Sequence, residues 1–313
     1  MFYHLFRQAY LIVKRHMETG NTARISKEIL PEGITKTTYT YSNDGDELHQ
    51  FNLYKTADAQ CTKSFPLIID IHGGGWISGD KDTNNGFNYY LASGGYHVSS
   101  LSYRTIDRCT IREQIKDIFD YLHFLHDNRS KLGISFNNIV LMGDSAGAQL
   151  ALLAYCINQN NHLQRIFSVV PVDWSVKCMV LNHGVCYLEM AGKLPNNFLL
   201  SKLIVIPELQ RMIYGKNFAK DEAYLNSFSP TQYVHKETVT PPILLITSLG
   251  DVVCSYQTFK LHDYLVEIGK DCELYVEKSP QAKHVFNITA PNNPEGKKCN
   301  DFILNFCKTA CYR

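Results

Sequence analysis

A run of apolar residues breaks off at Gly143 and resumes at Ala148 as a different kind of segment. Asn138-Ile139-Val140-Leu141-Met142 has the length and β-branched content of a buried strand. Ala148-Gln149-Leu150-Ala151-Leu152-Leu153-Ala154 is made of strong helix formers. Between them stands Gly143-Asp144-Ser145-Ala146-Gly147. Joining two such segments over so few residues takes a tight strand-to-helix turn. The flanking glycines mark where the strand and helix backbones come too close for a side chain. The five residues have the form G-x-S-x-G, in which a serine sits at the apex of such a turn with its Oγ exposed.

The rest of the chain repeats this alternation. Lys36–Tyr41 and Leu48–Tyr54 flank the turn-forming Ser42-Asn43-Asp44-Gly45-Asp46 and predict an antiparallel hairpin at a sheet edge. Pro66–Ile71 and Tyr96–Tyr103 read as strands. Ile111–His126 reads as a helix with Ile115, Ile118, Phe119, Leu122 and Leu125 on one face. Beyond the central turn, Arg165–Val170, Pro242–Thr247 and Cys272–Glu277 read as strands, and Tyr256–Ile268 and Asn300–Thr309 as helices. Strands alternating with helices predict an α/β fold: a mostly parallel sheet covered on both faces. The interval from Val170 to Pro241, about seventy residues, is too long for a bare loop and predicts a helical cap. The first residues carry Phe2, Leu5, Phe6, Ala9, Tyr10, Ile12 and Val13 among His4, Arg7, Lys14 and Arg15, as an amphipathic helix does. The expected division is an N-terminal helical segment over 1–35, joined to the cap, a first core part over 36–171, the cap over 172–241 and a second core part over 242–313.

Bulk properties exclude several classes. A net charge of +1 over 313 residues gives no field for nucleic acid or an acidic membrane. No apolar stretch approaches the ~20 residues that span a bilayer, and charges interrupt the start too often for a signal-peptide core, which predicts a cytoplasmic location without membrane insertion. The ten cysteines contain no C-x-x-C pair, so reduced thiols are expected rather than a disulfide framework or a zinc site.

A second motif, His72-Gly73-Gly74-Gly75-Trp76, follows directly on a strand. Successive glycines let backbone N–H groups approach a ligand, and no Gly-Lys-Ser/Thr follows to make this a P-loop. In a fold of this kind the position supplies donors for an oxyanion, together with the residue after the serine, Ala146. The serine needs a base. Chain order in such folds runs serine, carboxylate, histidine, which singles out Asp251 after one late strand and His284 after the last. His235 and His262 read as surface or packing residues, and His72 as a turn-supporting side chain. Trp76 and Asp144, adjoining the two motifs, are candidate substrate-binding residues, Trp76 by crowding the acyl pocket.

His72-Gly73-Gly74-Gly75 together with Gly143-Asp144-Ser145-Ala146-Gly147, and the segment Ser229-Pro230 to Val234, resemble the hormone-sensitive-lipase-like (bacterial type IV) esterases of the α/β-hydrolases. The likeness runs from about Tyr39 to Phe306. It implies Ser145, Asp251 and His284 as triad, the N–H groups of Gly74, Gly75 and Ala146 as oxyanion hole, and a cap over the pockets. It also implies hydrolysis of short-chain acyl or acetyl esters without metal or organic cofactor. One departure stands out: where the family shows small residues around its histidine, this chain has Lys283 and Val285. Three alternatives stay open: an arylformamidase or other amide hydrolase, a sugar-ester deacetylase, and a ligand-binding receptor of the same fold. The amphipathic N-terminal segment also leaves a homodimer open.

Overall fold

The computed structural model describes residues 2–25, 27–56, 65–188, 207–215 and 222–312. Its centre is an eight-stranded sheet in the order β1-β2-β4-β3-β5-β6-β7-β8. The strands are β1 (Ile34–Thr40), β2 (Gln50–Thr56), β3 (Leu67–Ile71), β4 (His97–Leu101), β5 (Ile139–Asp144), β6 (Val176–Asn182), β7 (Ile243–Ser248) and β8 (Cys272–Glu277). The hairpin β1–β2 is antiparallel, with Thr40 opposite Gln50, and β2 runs antiparallel to β4. All other pairs are parallel. The sheet is thus the mostly parallel one expected of an α/β-hydrolase.

Every residue of β3, β4 and β5 is buried, because helices lie on both faces. Side chains alternate between two cores, following the period of two along a strand. Leu67, Ile69 and Ile71 join Ile115, Ile118, Leu150 and Leu261 beneath the helices Ile111–Asp127, Ala146–Gln159 and Ser255–Glu267. Ile68, Val140, Met142 and Val180 point the other way, onto Phe87, Leu91, Ile303 and Cys307 of the helices Asn85–Ser93 and Pro294–Cys311.

Two expectations change. Arg165–Val170 is not a strand: its first residues finish the helix Asn161–Phe167, whose start is capped by the Asn160 side chain accepting from the N–H groups of His162 and Leu163. The strand comes later, as β6, inside the stretch 172–241 expected to form the cap. Cys178, Met179, Val180 and Leu181 are buried between β5 and β7, so this part of the chain belongs to the core. Much of the remaining cap stretch (189–206 and 216–221) lies outside the described residues. What is described there includes the helices Pro207–Tyr214 and Glu222–Asn226. The N-terminal segment is a helix, Phe2–Ile25. Lys14 Nζ bonds Asp107 Oδ2 at 2.6 Å, and Met17 sulfur lies 3.9 Å from Ser78 Oγ, so this helix packs beside the glycine-rich loop.

Candidate active site

The parallel strands all release their chain at one edge of the sheet, where sites form in open α/β folds. β3 leads into His72–Trp76, β5 into Ser145, β7 into Asp251, and the segment after β8 carries His284.

At the end of β5 the chain turns so sharply that Ser145 takes φ 52° and ψ −119°, a strained backbone for a residue with a side chain. Its neighbours leave no alternative. A Cβ on Gly143 would overlap the Gly147 carbonyl oxygen, and one on Gly147 would overlap the carbonyl oxygens of Ile71 and His72. The Ser145 N–H donates to the Asn182 carbonyl (2.8 Å), tying the turn to the end of β6.

His284 Nε2 lies 2.9 Å from Ser145 Oγ, and His284 Nδ1 lies 3.1 Å from Asp251 Oδ2. The other Asp251 oxygen accepts from the N–H groups of Val253 (2.7 Å) and Cys254 (3.2 Å). Burial pushes the Asp251 carboxyl upward. The hydrogen bond to His284, the charge of His284 and the Val253 N–H outweigh it, holding the group below the usual carboxylate range. The Asp251–His284–Ser145 chain of contacts can therefore take a proton from the serine and hold the resulting imidazolium.

Beside the Ser145 turn, where the Gly73 N–H donates to Asp144, the loop after β3 takes left-handed backbone at three consecutive residues: Gly74 (φ 105°), Gly75 (φ 60°) and Trp76 (φ 63°). A Cβ on Gly74 would meet the Ser78 carbonyl. Among the described residues no protein acceptor takes the N–H of Gly74 or Gly75. Ala146 is the first residue of its helix, where the N–H has no acceptor within the helix. These are the three groups named from sequence as donors to an anion.

Trp76 and Asp144 face the protein. Trp76 is 2% exposed, and its indole N–H donates to Gln149 Oε1 at 3.0 Å. Asp144 is 5% exposed and accepts from the N–H of Gly73 (2.9 Å) and from Asn84 Nδ2 (2.8 Å). Both side chains are thus engaged within the protein, one in the glycine loop and one against its Gly73 N–H. So is His72: it is wholly buried, stacks on Tyr103 at 4.3 Å, and its carbonyl accepts from the Tyr103 hydroxyl.

Several neighbours of the site carry no sequence signal. Asn84 Nδ2 also donates to Asp70 (3.1 Å), so one amide bridges two buried carboxyls. Burial, then the charge of Asp144, raises Asp70 to about 7. A carboxyl raised on folding stabilises the fold fully below its ordinary value of 3.8, and that contribution disappears as pH rises through about 7. Asp70→Asn, which keeps an acceptor for Asn84, is expected to melt several degrees above the parent at pH 8.5, a gain on the order of a few kcal/mol. The gap should close as the pH is lowered toward 4. Thermal melts across that range check it, and a gap independent of pH would contradict the assignment.

His183, directly after β6, is wholly buried with left-handed backbone (φ 53°). Its ring meets the His284 ring edge to face at 5.5 Å, and its Nδ1 lies 2.6 Å from Asn182 Oδ1. Burial, then the nearby His284, lowers its pKa to about 3, so it stays neutral beside His284. Asn182 continues through Asn287 to Asn300, with 3.0 Å between partners at each step. This buried amide chain ties the segment after His284 to β6 and to the last helix. Cys254, three residues after Asp251, is also wholly buried.

The BD-FAE family model matches residues 52–265 of the 313. The chain belongs to that family. Among solved structures, this BD-FAE member is similar to Esterase B from Lactobacillus rhamnosis, with a TM-score of 0.89 and 27% identity, covering 99% of this chain and 96% of that one. Esterase LipQ of Mycobacterium tuberculosis is 25% identical over 79% of this chain and 56% of its own length. The isoprenylcysteine alpha-carbonyl methylesterase ICME of Arabidopsis thaliana is 35% identical over 67% of this chain and 48% of its own length. The BD-FAE chain thus spans about half the length of these sequence relatives. These esterases bear out the resemblance carried by the two glycine motifs. Among the described residues, no helix of the BD-FAE chain is long and apolar enough to cross a membrane.

Proposed function

We propose that the chain is a serine carboxylic-ester hydrolase acting on short-chain acyl esters. The observation that carries this is the 2.9 Å contact of Ser145 Oγ with an imidazole backed by a buried carboxylate, with the Gly74 and Gly75 N–H groups of the neighbouring loop meeting no protein acceptor among the described residues. In this mechanism Ser145 Oγ attacks the ester carbonyl while His284 Nε2 takes its proton. The carbonyl oxygen becomes an oxyanion held by the N–H groups of Gly74, Gly75 and Ala146. Each such donor is worth about 3–4 kcal/mol in the transition state. His284 passes the proton to the departing alkoxide, leaving an acyl-serine. Water, deprotonated by the same imidazole, then releases the acid and restores Ser145.

Support for a small acyl group comes from a relative. Esterase B, in a form 28% identical to this chain with a TM-score of 0.88, is described as inhibited by a tributyrin phosphonate, an analogue of a butyryl ester. The test is a series of p-nitrophenyl esters from acetyl to palmitoyl, with fluorophosphonate labelling followed by peptide mapping. The expected result is fastest turnover between acetyl and hexanoyl, with the label on Ser145. A long-chain optimum would remove the chain-length proposal. An unlabelled Ser145 in a protein that binds but does not turn over esters would favour the receptor alternative.

A further inference from the structure

Among the described residues, one group of three metal-ligating side chains brings its ligand atoms within 4.8 Å of one another: Asp251, Cys254 and His284. We propose that these residues form an inhibitory site for a zinc ion, which stops ester hydrolysis by fixing the wrong tautomer of His284. The inhibition, though not the site, rests on Ser145 being the nucleophile and His284 its base.

The donor set fits. Thiolate, imidazole and carboxylate are the ligands that zinc prefers, at about 2.3 Å for sulfur and about 2.0–2.2 Å for nitrogen and oxygen. A tetrahedral ion separates such ligands by a little over 3 Å, and Nδ1 and Oδ2 already stand 3.1 Å apart. The Cys254 thiol, within 4.8 Å of both, has to close the remaining distance. The sequence places Cys254 one turn of chain after Asp251, at the start of the helix Ser255–Glu267. Cys254 is wholly buried and the Asp251 side chain is 0% exposed, whereas the His284 side chain is 22% exposed and gives the ion a way in. The charges close as well. Asp251 carboxylate and a Cys254 thiolate together neutralise the dication, so the buried assembly carries no net charge. Three protein ligands leave the fourth position to water.

The consequence for catalysis follows from proton counting. In the resting triad Nδ1 carries the imidazole proton toward Asp251 and Nε2 is the acceptor facing Ser145. Zinc on Nδ1 requires that lone pair, so a neutral ring must carry its single proton on Nε2. An Nε2–H cannot accept the proton of Ser145. The Cys254 thiol loses its proton to solvent as the Zn–S bond forms, so each ion bound releases one proton while the imidazole only exchanges tautomer.

The test uses the full chain titrated with zinc chloride in a calorimeter, in buffers of different ionisation enthalpy, alongside p-nitrophenyl butyrate hydrolysis. One zinc per chain should bind with release of about one proton. Activity should fall in step and return on adding EDTA. Cys254→Ala and Cys254→Ser, each checked by circular dichroism, should bind zinc on the order of 100-fold more weakly, and their remaining activity should lose zinc sensitivity. Ser145→Ala, which cannot turn over ester, should keep the calorimetric site. Zinc affinity unchanged in both Cys254 variants would overturn the site. Full activity in the zinc-loaded protein would overturn the tautomer lock. Zinc binding that depends on Cys254, in a protein that hydrolyses no ester even without metal, would instead leave the site standing and remove the esterase proposal.

Discussion

Asp251→Asn is expected to lower kcat toward p-nitrophenyl butyrate by on the order of 10⁴-fold while moving KM by less than about threefold. The change removes one charge and almost no volume, so the size of the effect comes from how the carboxylate is held. One oxygen is fixed by the N–H groups of Val253 and Cys254. An asparagine keeps its carbonyl oxygen on those donors, because its amide nitrogen cannot accept from them. The NH₂ is then turned toward His284 Nδ1, which must become an acceptor, and the ring proton moves to Nε2 against Ser145. The base is disarmed by orientation as well as by lost charge. Ser145→Ala should cost at least as much, and the two losses should not add, because they remove parts of one unit. Steady-state kinetics on the two single variants and the double variant check this. A kcat within about tenfold of the parent in Asp251→Asn would show that another group orients His284.

Gly147→Ala is expected to cost more than about 3 kcal/mol of stability, enough to leave little folded protein. Alanine is ordinarily the better helix residue, so propensity alone predicts a gain. Here the added methyl would occupy the space of two carbonyl oxygens, on Ile71 and His72, at the point where the helix after Ser145 crosses the end of β3. Neither oxygen can yield without moving the strand that feeds the glycine loop. The variant should therefore show a large drop in denaturant midpoint, and whatever folds should have a displaced oxyanion loop. As a contrast, Gly269→Ala lies in open space with φ 73°, so its cost comes from backbone conformation alone and should be far smaller. Urea melts of the two variants separate these causes. A Gly147→Ala protein as stable as its parent would mean that the turn can open.

The Ser145–His284–Asp251 chain of contacts is legible in the sequence because each member follows its own strand, and chain order does the selecting: Ser145 after β5, Asp251 after β7, His284 after β8. The glycine loop is legible because Gly74 needs both a left-handed backbone and the absence of a Cβ. The misplaced strand has a local cause. Ile166-Phe167-Ser168-Val169-Val170 is a short apolar run of the kind that periodicity cannot assign. The signal that does assign it is Asn160, whose side chain caps the helix that runs through the first of these residues. Asp70, Asn84, His183 and Cys254 have no such marker. They matter because β3, β6 and the loop after β7 come together in space, and nothing in their immediate sequence distinguishes them from packing residues. Trp76 illustrates the converse: its place beside the glycine motif is legible, while its burial and its indole N–H bond to Gln149 are not.

Among the described residues, five without the freedom of glycine have positive φ: Trp76, Ser145, Ser168, His183 and Val285. Four of them, Trp76, Ser145, His183 and Val285, lie around the site on the segments that follow β3, β5, β6 and β8. Such residues typically cost about 1–3 kcal/mol each, so a sizeable part of the net stability of an ordinary domain is set against local geometry at one edge of the sheet. Selection for robustness and selection for turnover therefore pull in opposite directions at these four positions. The rest of the molecule is where mutational tolerance must come from: the hydrophobic layers on either side of β3 and β5 limit how much change the reacting edge can absorb.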